Sequence, residues 1–230
     1  MTKIAIIPAR GGSKRIPRKN IKDFGGRPII AWPILTALTS KCFDAVIVST
    51  DDLEIASIAE QYGAEVPFRR PPELSDDYVG TVEVISHAID SLQGTYPDIE
   101  QVCCIYPTAA LLNSADLTRG YDQLIATNSD YAIGVTDYGY PIQRALKVTS
   151  SGEIEMFFPE NYQKRSQDLE RCWHDAGLFC WGTTDAWTQK KAVFHAKSSP
   201  IFISRWQVQD IDTREDWDYA LKIFNSMKSS

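Results

Sequence analysis

The residue types best suited to chemistry lie near the amino terminus, where cations and glycines directly follow an apolar run. Within residues 10–19 the chain places five cations, two adjacent glycines and a serine: Arg10, Gly11, Gly12, Ser13, Lys14, Arg15, Arg18 and Lys19. Backbone N–H groups beside glycines can approach phosphate oxygens closely, while Arg offers paired hydrogen bonds and Lys a compact charge. The segment therefore predicts a loop that binds a compact polyanion; a solvated basic turn and a nucleic-acid patch are the alternatives.

The common phosphate-binding motifs are absent from the sequence. It has no G-x-x-x-x-G-K-[ST] loop, no G-x-G-x-x-G after a strand pattern and no kinase signature set. What remains is a shaped basic loop with enough positive charge for a triphosphate. A triphosphate site normally needs a divalent metal, and such a metal needs oxygen ligands from carboxylates.

The best candidate for metal ligands is the pair Asp210 and Asp212. In an extended backbone, residues i and i+2 point to the same face, so both carboxylates can reach one Mg²⁺. The alternative is helix capping, because a helix pattern begins near Thr213 and Asp216 falls in its first turn. Capping accounts for one of the two aspartates and not for both, which favours the metal interpretation.

Other polar candidates carry less information. Asp51 and Asp52 end a strand pattern and precede a helix, which indicates capping or contact with a ribose. His174, followed by Asp175 and Gly177, is a candidate for a place near the site. No Ser/His/Asp or Cys/His set can be assembled for nucleophilic catalysis.

Composition limits the class of protein. The chain has 230 residues, 43% of them apolar, which suffices for one core in a single domain spanning 1–230. Its net charge is −6, and all 30 acidic residues lie after residue 22, so a long nucleic acid is not the expected partner. No apolar run approaches the ~20 residues of a membrane span, and the first residues lack a signal-peptide pattern. The five cysteines show no metal-ligand spacing, so we expect a cytoplasmic protein without structural zinc.

Strand and helix patterns alternate along most of the chain. The predicted strands are 3–8, 45–49, 65–68, 101–106, 131–135 and 178–181. The predicted helices are 29–38, 53–62, 81–92, 115–126 with Ser114 as a cap, and one that starts near Thr213. This order predicts an α/β fold with a parallel sheet covered on both faces, whose ligands bind at the carboxyl ends of the strands. The basic loop follows the first strand and so falls on that edge.

The alternation fails between residues 138 and 175. This stretch is rich in aromatic and charged residues and has a predicted hairpin turn at 150–152. An aromatic-rich extension that cannot form its own core often packs on a partner chain. We therefore predict an inserted arm over 138–175; the alternative is that it folds back over its own sheet.

Several of these segments together resemble one enzyme family. Residues 7–20, IPARGGSKRIPRKN, resemble the signature of the acylneuraminate cytidylyltransferases, a family that includes CMP-sialic acid synthetases and their pseudaminic and legionaminic acid relatives. The resemblance extends over nearly the whole chain and includes residues 48–52, 70–77, 106–108 and 210–213. The amino-terminal segment is long and specific, and it carries most of the identification.

The resemblance implies a Rossmann-like, three-layer nucleotidyltransferase fold with a mainly parallel sheet, and a homodimer whose arm is inserted at 138–175. It implies Mg²⁺ and transfer of CMP from CTP to the anomeric hydroxyl of a nine-carbon 2-keto sugar acid. By position, the implied catalytic residues are Arg10, Lys19 and Asp212, and the implied metal ligands are Asp210 and Asp212. The implied nucleotide-binding residues are Ala9, Arg10, Gly11, Gly12, Ser13, Lys19, Asn20 and Thr81.

The chain departs from the sialic acid branch of the family after its central strand. Tyr106 stands where that branch has a glutamine, and Leu112 where it has an arginine. With residues 157–161, 165–169 and 174–177, this stretch resembles the pseudaminic acid branch, which acts in surface glycan biosynthesis such as flagellin glycosylation. The implied sugar-site residues are Tyr106, Arg165 and His174.

Two alternatives to this function remain open from the sequence. One is a cytidylyltransferase for N-acetylneuraminic, legionaminic or 3-deoxy-octulosonic acid. The other, from a different class, is a non-catalytic protein that binds nucleotides or nucleic acid through the basic loop.

Overall fold

Five of the six strands predicted from the apolar runs lie in one mixed sheet in this computed structural model, which describes residues 2–228. In chain order the strands are β1 (Thr2–Pro8), β2 (Ala45–Ser49), β3 (Ile99–Ile105), β4 (Tyr131–Asp137), β5 (Leu146–Val148), β6 (Ile154–Met156), β7 (Trp173–Thr183) and β8 (Ser198–Phe202). The helices are α1 (Ala31–Ser40), α2 (Leu53–Gln61), α3 (Thr81–Leu92), α4 (Ser114–Thr127), α5 (Thr184–Thr188) and α6 (Arg214–Lys228).

The main sheet has six strands in the order β2-β1-β3-β7-β4-β8. β1 runs parallel to β2 and β3, and β4 runs parallel to β8, whereas β7 is antiparallel to both of its neighbours. β7 returns beside β4 after the excursion of residues 138–172, and antiparallel neighbours need no crossover helix. The expected mainly parallel α/β sheet is therefore confirmed, with β7 as the reversed strand.

Successive residues of β1 face opposite layers of helices. Ala5 and Ile7 belong to a core cluster that includes side chains of α1, α2 and α4. Ile4 and Ile6 belong to a second cluster, which includes side chains of α3 and α5. Because side chains alternate along a strand, a run of four fully buried residues requires cover on both faces. The result is the expected three-layer arrangement.

A third apolar cluster joins α6 to two loops, and we call it the α6 cluster. Its members are Ile16, Phe24, Ile29, Leu111, Ile211, Trp217, Ala220, Ile223 and Phe224. Ile16 comes from the basic loop and Ile211 from the segment before α6, and each is only 2% exposed. The α6 cluster thus packs the basic loop against the segment that carries Asp210 and Asp212.

Three local predictions differ from the structure. Residues 65–68 do not form a strand, since only Glu65 makes a single bridge to Ile47 of β2. Asn113, not Ser114, caps α4, because its Oδ1 accepts a hydrogen bond from Ala115 N at 2.9 Å. The arm is also shorter than expected, because residues 173–175 are the first residues of β7 and pair with β4.

Within residues 138–172, β5 and β6 form a separate two-stranded antiparallel hairpin. Its turn lies where the sequence predicted it, with Gly152 at a φ of +85°, a conformation that favours glycine. Across the described residues, no helix is both long and apolar enough to cross a membrane.

Candidate nucleotide and acceptor site

A cleft of about 560 Å³ opens at the carboxyl ends of β1 and β3. Residues of the basic loop form one wall, the segment 70–84 forms the other, and residues 106–108 lie at the end of β3. Its lining includes Arg10, Ser13, Lys14, Arg15, Lys19, Asn20, Arg70, Asp77, Thr81, Tyr106 and Asp210. The fold therefore gathers most of the predicted phosphate, metal and nucleotide residues in one place, at the sheet edge where ligands of parallel sheets bind.

Three predicted residues of the basic loop, Ala9, Gly11 and Gly12, do not line the cleft. Ala9 and Gly11 instead fix the backbone of the loop. Ala9 is fully buried, and its N–H extends the β1–β2 pairing to Ser49 O at 2.9 Å. Gly11 N donates to Asp51 Oδ1 at 2.9 Å, and a Cβ added at Gly11 would lie 2.6 Å from Asp52 Oδ2. Gly11 is thus required for a close approach to Asp52, whereas Gly12 has no such neighbour within 4 Å.

Asn20 closes the basic loop upon itself. Its Nδ2 donates to Arg10 O at 2.9 Å, and its side chain is buried at the cleft wall. A buried amide bonded to the carbonyl of the first cation holds the two ends of the loop together. Asn20 therefore positions Arg10 as well as lining the cleft.

Asp52 has a structural role at the back of the loop. Its Oδ1 accepts hydrogen bonds from Glu54 N and Ile55 N at 2.9 and 3.0 Å, which caps α2 as the sequence indicated. It also pairs with Arg18, a residue held at a φ of +54°. Hydrogen bonding from Arg18 lowers the pKa of Asp52 to about 2 despite partial desolvation.

The cations that the basic loop brings to the cleft are paired with carboxylates. Arg10 Nη1 lies 2.6 Å from Asp77 Oδ1, and Lys14 pairs with the other oxygen of the same residue. Arg15 Nη2 lies 2.8 Å from Asp212 Oδ1. Hydrogen bonds from Lys14 and Arg10 lower the pKa of Asp77. Asp77 and Asp212 therefore neutralise the same cations that the phosphate oxygens of a ligand would neutralise.

Lys19 has the least exposed side chain of the five cations in the basic loop. Its ammonium group reaches the segment that precedes α6. Its Nζ donates to Ile211 O at 2.6 Å and lies 3.8 Å from Asp212 Oδ1. Burial lowers its pKa, and the charges of Asp212 and Asp210 act against that shift. Lys19 therefore lies between the predicted anion site and the predicted metal ligands.

The start of α6 is capped without Asp210 or Asp212. Thr213 Oγ1 accepts from Asp216 N at 3.2 Å, and Asp216 Oδ2 accepts from Thr213 N at 2.7 Å, which is a reciprocal capping box. Asp216 Oδ2 also accepts from Asp212 N at 3.1 Å. Both predicted metal ligands thus keep their carboxylates outside the cap, and Asp210 lines the cleft.

Sequence reasoning missed Arg70. Its side chain lines the cleft and is 4% exposed, yet Nε and Nη2 have no hydrogen-bond partner among residues 2–228. Desolvation lowers its pKa, and Asp51 is the charge that opposes this most. Arg70 lies in one of the segments that carry the family resemblance, but its burial comes from tertiary packing and leaves no pattern in the sequence.

The three predicted sugar residues have different places. Tyr106 lines the cleft at the end of β3, and burial raises the pKa of its hydroxyl. His174 lies on β7, with Nδ1 2.8 Å from Asp175 O and its ring 4.8 Å from that of Tyr138. Arg165 pairs with Asp168 at 2.8 Å on the exposed surface of residues 138–172. The described chain brings Tyr106 to the cleft, but neither His174 nor Arg165.

A second pocket of about 270 Å³ lies behind Tyr106 and Thr81, which line both cavities. Its other walls are mostly apolar: Val82, Cys104, Ile133, Asp175, Cys180, Trp187, Val193 and Phe194. Desolvation raises the pKa of Asp175, and the nearby charge of Asp210 raises it further. We call this cavity the rear pocket; sequence reasoning missed it, and noted Asp175 only as the neighbour of His174.

Known proteins of one enzyme family are similar to this chain in sequence. A family model described as Cytidylyltransferase matches residues 4–219. The chain is 45% identical over 220 residues to a pseudaminic acid cytidylyltransferase of Campylobacter jejuni, covering 96% of this chain and 95% of that protein. It is 31% identical over 222 residues to an N-acylneuraminate cytidylyltransferase of Escherichia coli, covering 96% of this chain and 51% of that protein.

Among solved structures, the fold is similar to that of a CMP:2-keto-3-deoxy-manno-octonic acid synthetase complexed with CTP, with a TM-score of 0.73. The match covers 99% of this chain and 100% of the other, at 13% sequence identity. At that identity the likeness concerns the fold alone, and it confirms the expected nucleotidyltransferase architecture.

Proposed function

The chain belongs to the cytidylyltransferase family, and from this premise we propose that it transfers CMP from CTP to the anomeric hydroxyl of pseudaminic acid, releasing pyrophosphate. The observation that carries the proposal is the cation-lined cleft that includes Asp210, with Asp212 paired to two of its cations, Arg15 and Lys19. The chain is also 45% identical over nearly its full length to a pseudaminic acid cytidylyltransferase. The nucleic-acid alternative has no support, since four of the loop's five cations line the cleft and pair with Asp77 or Asp212.

In this proposal the basic loop binds the triphosphate. Arg10, Lys14 and Arg15 exchange their carboxylate partners for phosphate oxygens, and Lys19 stabilises the charge that develops on the departing pyrophosphate. The reaction asks for little covalent chemistry from the protein, so catalysis comes from positioning and charge neutralisation. Thr81, at the opposite wall, is the candidate contact for the cytosine.

Asp210 and Asp212 suit Mg²⁺, because their carboxylates are hard oxygen ligands that the cap of α6 leaves available. Mg²⁺ typically binds one or two carboxylates together with substrate phosphates, and no group of three metal-ligating side chains occurs among the described residues. Bound there, the ion would neutralise charge on the α-phosphate and on the leaving pyrophosphate. In the metal-free chain, Arg15 and Lys19 compensate the charge of Asp212.

The choice of sugar rests on Tyr106. A ring at the end of β3 gives the acceptor an apolar wall where the sialic acid branch of the family has an amide. Pseudaminic acid carries a terminal methyl in place of a hydroxylated tail, and such a wall suits it. An apolar pocket discriminates modestly against an added hydroxyl, by about a hundredfold at most.

A panel of sugar acids with CTP and Mg²⁺, measured by pyrophosphate release, tests this function. We expect a higher kcat/KM for pseudaminic acid than for N-acetylneuraminic acid, and a smaller ratio in Tyr106→Gln. Chelation of Mg²⁺ should abolish turnover. A preference for N-acetylneuraminic acid would contradict the sugar assignment alone, whereas no pyrophosphate with any sugar acid would contradict the enzyme assignment.

We also propose that the chain works as a homodimer in the cytoplasm, where CTP is made. The β5–β6 hairpin presents Leu146, Val148 and Ile154 on one face, exposed by 58%, 74% and 68%. Such an apolar face outside the main sheet fits contact with a second copy of the chain. Light scattering should give a dimer for the parent and a monomer for Val148→Asp/Ile154→Asp; a monomeric parent at micromolar concentration would contradict the proposal.

A further inference from the structure

The two carboxylates proposed as metal ligands lie in a connection with little regular structure of its own. Residues 203–213 join β8 to α6, and we call them the β8–α6 connection; a single 3₁₀ turn, Arg205–Gln207, is their only helical element. Near its end the connection is held at Ile211, whose side chain is buried and whose carbonyl oxygen accepts from Lys19. The places of Asp210 and Asp212 therefore also depend on how the earlier part of the connection is fixed.

A buried carboxylate of α4 contacts the middle of the β8–α6 connection. Asp116 Oδ2 accepts a hydrogen bond from Gln207 Nε2 at 3.1 Å, although 91 positions separate the two residues. Asp116 Oδ1 accepts from Arg119 Nη2 at 2.5 Å. The side chain of Asp116 is only 7% exposed, and it is not among the residues that line the cleft. Asp116 thus contacts the connection without reaching the cleft itself.

The helix that carries Asp116 is packed closely against the sheet. The next residue, Leu117, is fully buried, and its carbonyl oxygen accepts from Trp181 Nε1 of β7 at 3.0 Å. One turn further on, a Cβ added to Gly120 would lie 2.7 Å from side-chain atoms of Phe179 and Trp181. Such close packing leaves α4 little freedom to shift, so Asp116 is a fixed point for the connection.

The bond to Gln207 is not explained by the stability of α4 alone. A buried carboxylate is costly unless donors satisfy it, and Arg119, three residues away on the same helix, is a local donor. The second donor comes from another part of the chain. Because a carboxylate only accepts, the amide of Gln207 must present its nitrogen to Asp116, which fixes the orientation of that side chain. The connection is thereby held three residues before Asp210.

We propose that Asp116 is a positioning residue, which acts through Gln207 to hold Asp210 and Asp212 where they can bind Mg²⁺. The inference rests on the proposed cytidylyltransferase function and its metal site. Asp116 and Lys19 then fix the β8–α6 connection from two sides, one at Gln207 and the other at Ile211. Asp116 itself takes no part in binding or in the chemical step.

Gln207→Ala and Asp116→Ala each remove the hydrogen bond between α4 and the connection. Calorimetric titration of Mg²⁺ into the chain with CTP, without an acceptor sugar, measures metal binding in the absence of turnover. We expect the Kd for Mg²⁺ to rise about three- to tenfold in both variants, less than the full contribution of a charged hydrogen bond, because Lys19 still holds Ile211. The Kd for CTP without metal should stay at the parent's value. Gln93→Ala, after α3, and Asp122→Ala, on the exposed side of α4, are the matched controls.

Two further measurements separate positioning from a purely structural role of Asp116. The double variant should bind Mg²⁺ no more weakly than either single variant, because both changes remove the same bond. In the metal-free chain, the hydrogen-bonded amides of Val208 and Asp212 should exchange faster in Gln207→Ala than in the parent.

A structural role that serves only Arg119 and α4 predicts the opposite result for Gln207→Ala. That variant would then match the parent in Mg²⁺ binding and amide exchange, which would overturn this inference, as would additive effects in the double variant. Neither outcome depends on pyrophosphate release, so the proposed function would stand. A parent that binds no Mg²⁺ in the presence of CTP would overturn the metal site and this inference together.

Discussion

Lys19 Nζ donates a hydrogen bond to the carbonyl oxygen of Ile211 at 2.6 Å, although 192 positions separate the two residues. The side chain of Ile211 is buried in the α6 cluster, and Asp210 and Asp212 flank it. The hydrogen bond therefore connects the basic loop to the backbone between two carboxylates. A shift of either segment would move the cations relative to the proposed metal ligands.

Removal of either cation from the basic loop should lower activity and spare the fold. Charged hydrogen bonds contribute roughly 1.5–3 kcal/mol, so Arg10→Ala and Lys19→Ala should each reduce kcat/KM by about ten- to a hundredfold. Steady-state pyrophosphate release measures the loss, and circular dichroism checks the fold. Lys222→Ala, on the exposed side of α6, is the control. Near-parental kinetics in both loop variants would exclude this loop from the active site.

Mutations should distinguish metal binding by Asp210 and Asp212 from capping of α6 by Asp216. Asp210→Asn and Asp212→Asn should raise the Mg²⁺ concentration at half-maximal rate without lowering the metal-free free energy of unfolding. Asp216→Ala removes the capping box instead, and should lower that free energy by about 1 kcal/mol with little change in the Mg²⁺ titration. If the Asn variants titrated like the parent, the metal assignment would be wrong.

Arg70 should show opposite effects on stability and on binding. A buried guanidinium with two unpaired nitrogens costs stability, so Arg70→Met should leave the free energy of unfolding unchanged or raise it. The same variant loses charge-assisted hydrogen bonds to the nucleotide, and its Kd for CTP should rise about tenfold or more. Thermal unfolding with and without CTP measures both effects. Arg69→Met, at the exposed neighbouring position, should match the parent; equal CTP affinity in Arg70→Met would refute the binding role.

Asp52 should make stability depend on pH in the acid range. Its pKa is about 2 in the folded chain and about 3.9 in an unfolded one. A carboxylate with a lowered folded pKa stabilises the fold above its unfolded pKa, and that contribution is lost as the pH falls from about 4 towards 2. Asp52→Asn keeps the cap of α2 but has no titrating group.

Urea unfolding between pH 5 and 2 checks this dependence. The free energy of unfolding should fall less steeply with decreasing pH in Asp52→Asn than in the parent. The control Asp122→Asn, on the exposed side of α4, should keep the parent's slope. Parallel curves for Asp52→Asn and the parent would show that the Arg18–Asp52 pair contributes nothing to acid stability.

Elements whose determinants are local could be predicted from the sequence. β2 and α3 have the bounds that their apolar patterns predicted, because strand and helix periodicities are read within a few residues. The basic loop was equally readable, since its cations and glycines are adjacent in the chain. The family signature also lies in this contiguous stretch, which is why the enzyme class followed from the sequence.

Tertiary structure decided what depends on distant segments. Three features depend on contacts between segments that share no sequence pattern. They are the reversed direction of β7, the burial of Arg70 and the hydrogen bond from Lys19 to Ile211. Residues 65–68 have a strand composition, yet only Glu65 pairs with β2, because pairing requires a partner in register. Asp175 followed His174 as an ordinary polar residue in the sequence. Only the packing of α3, β7 and the segment 193–194 creates the rear pocket and places the exposed Asp175 in its wall.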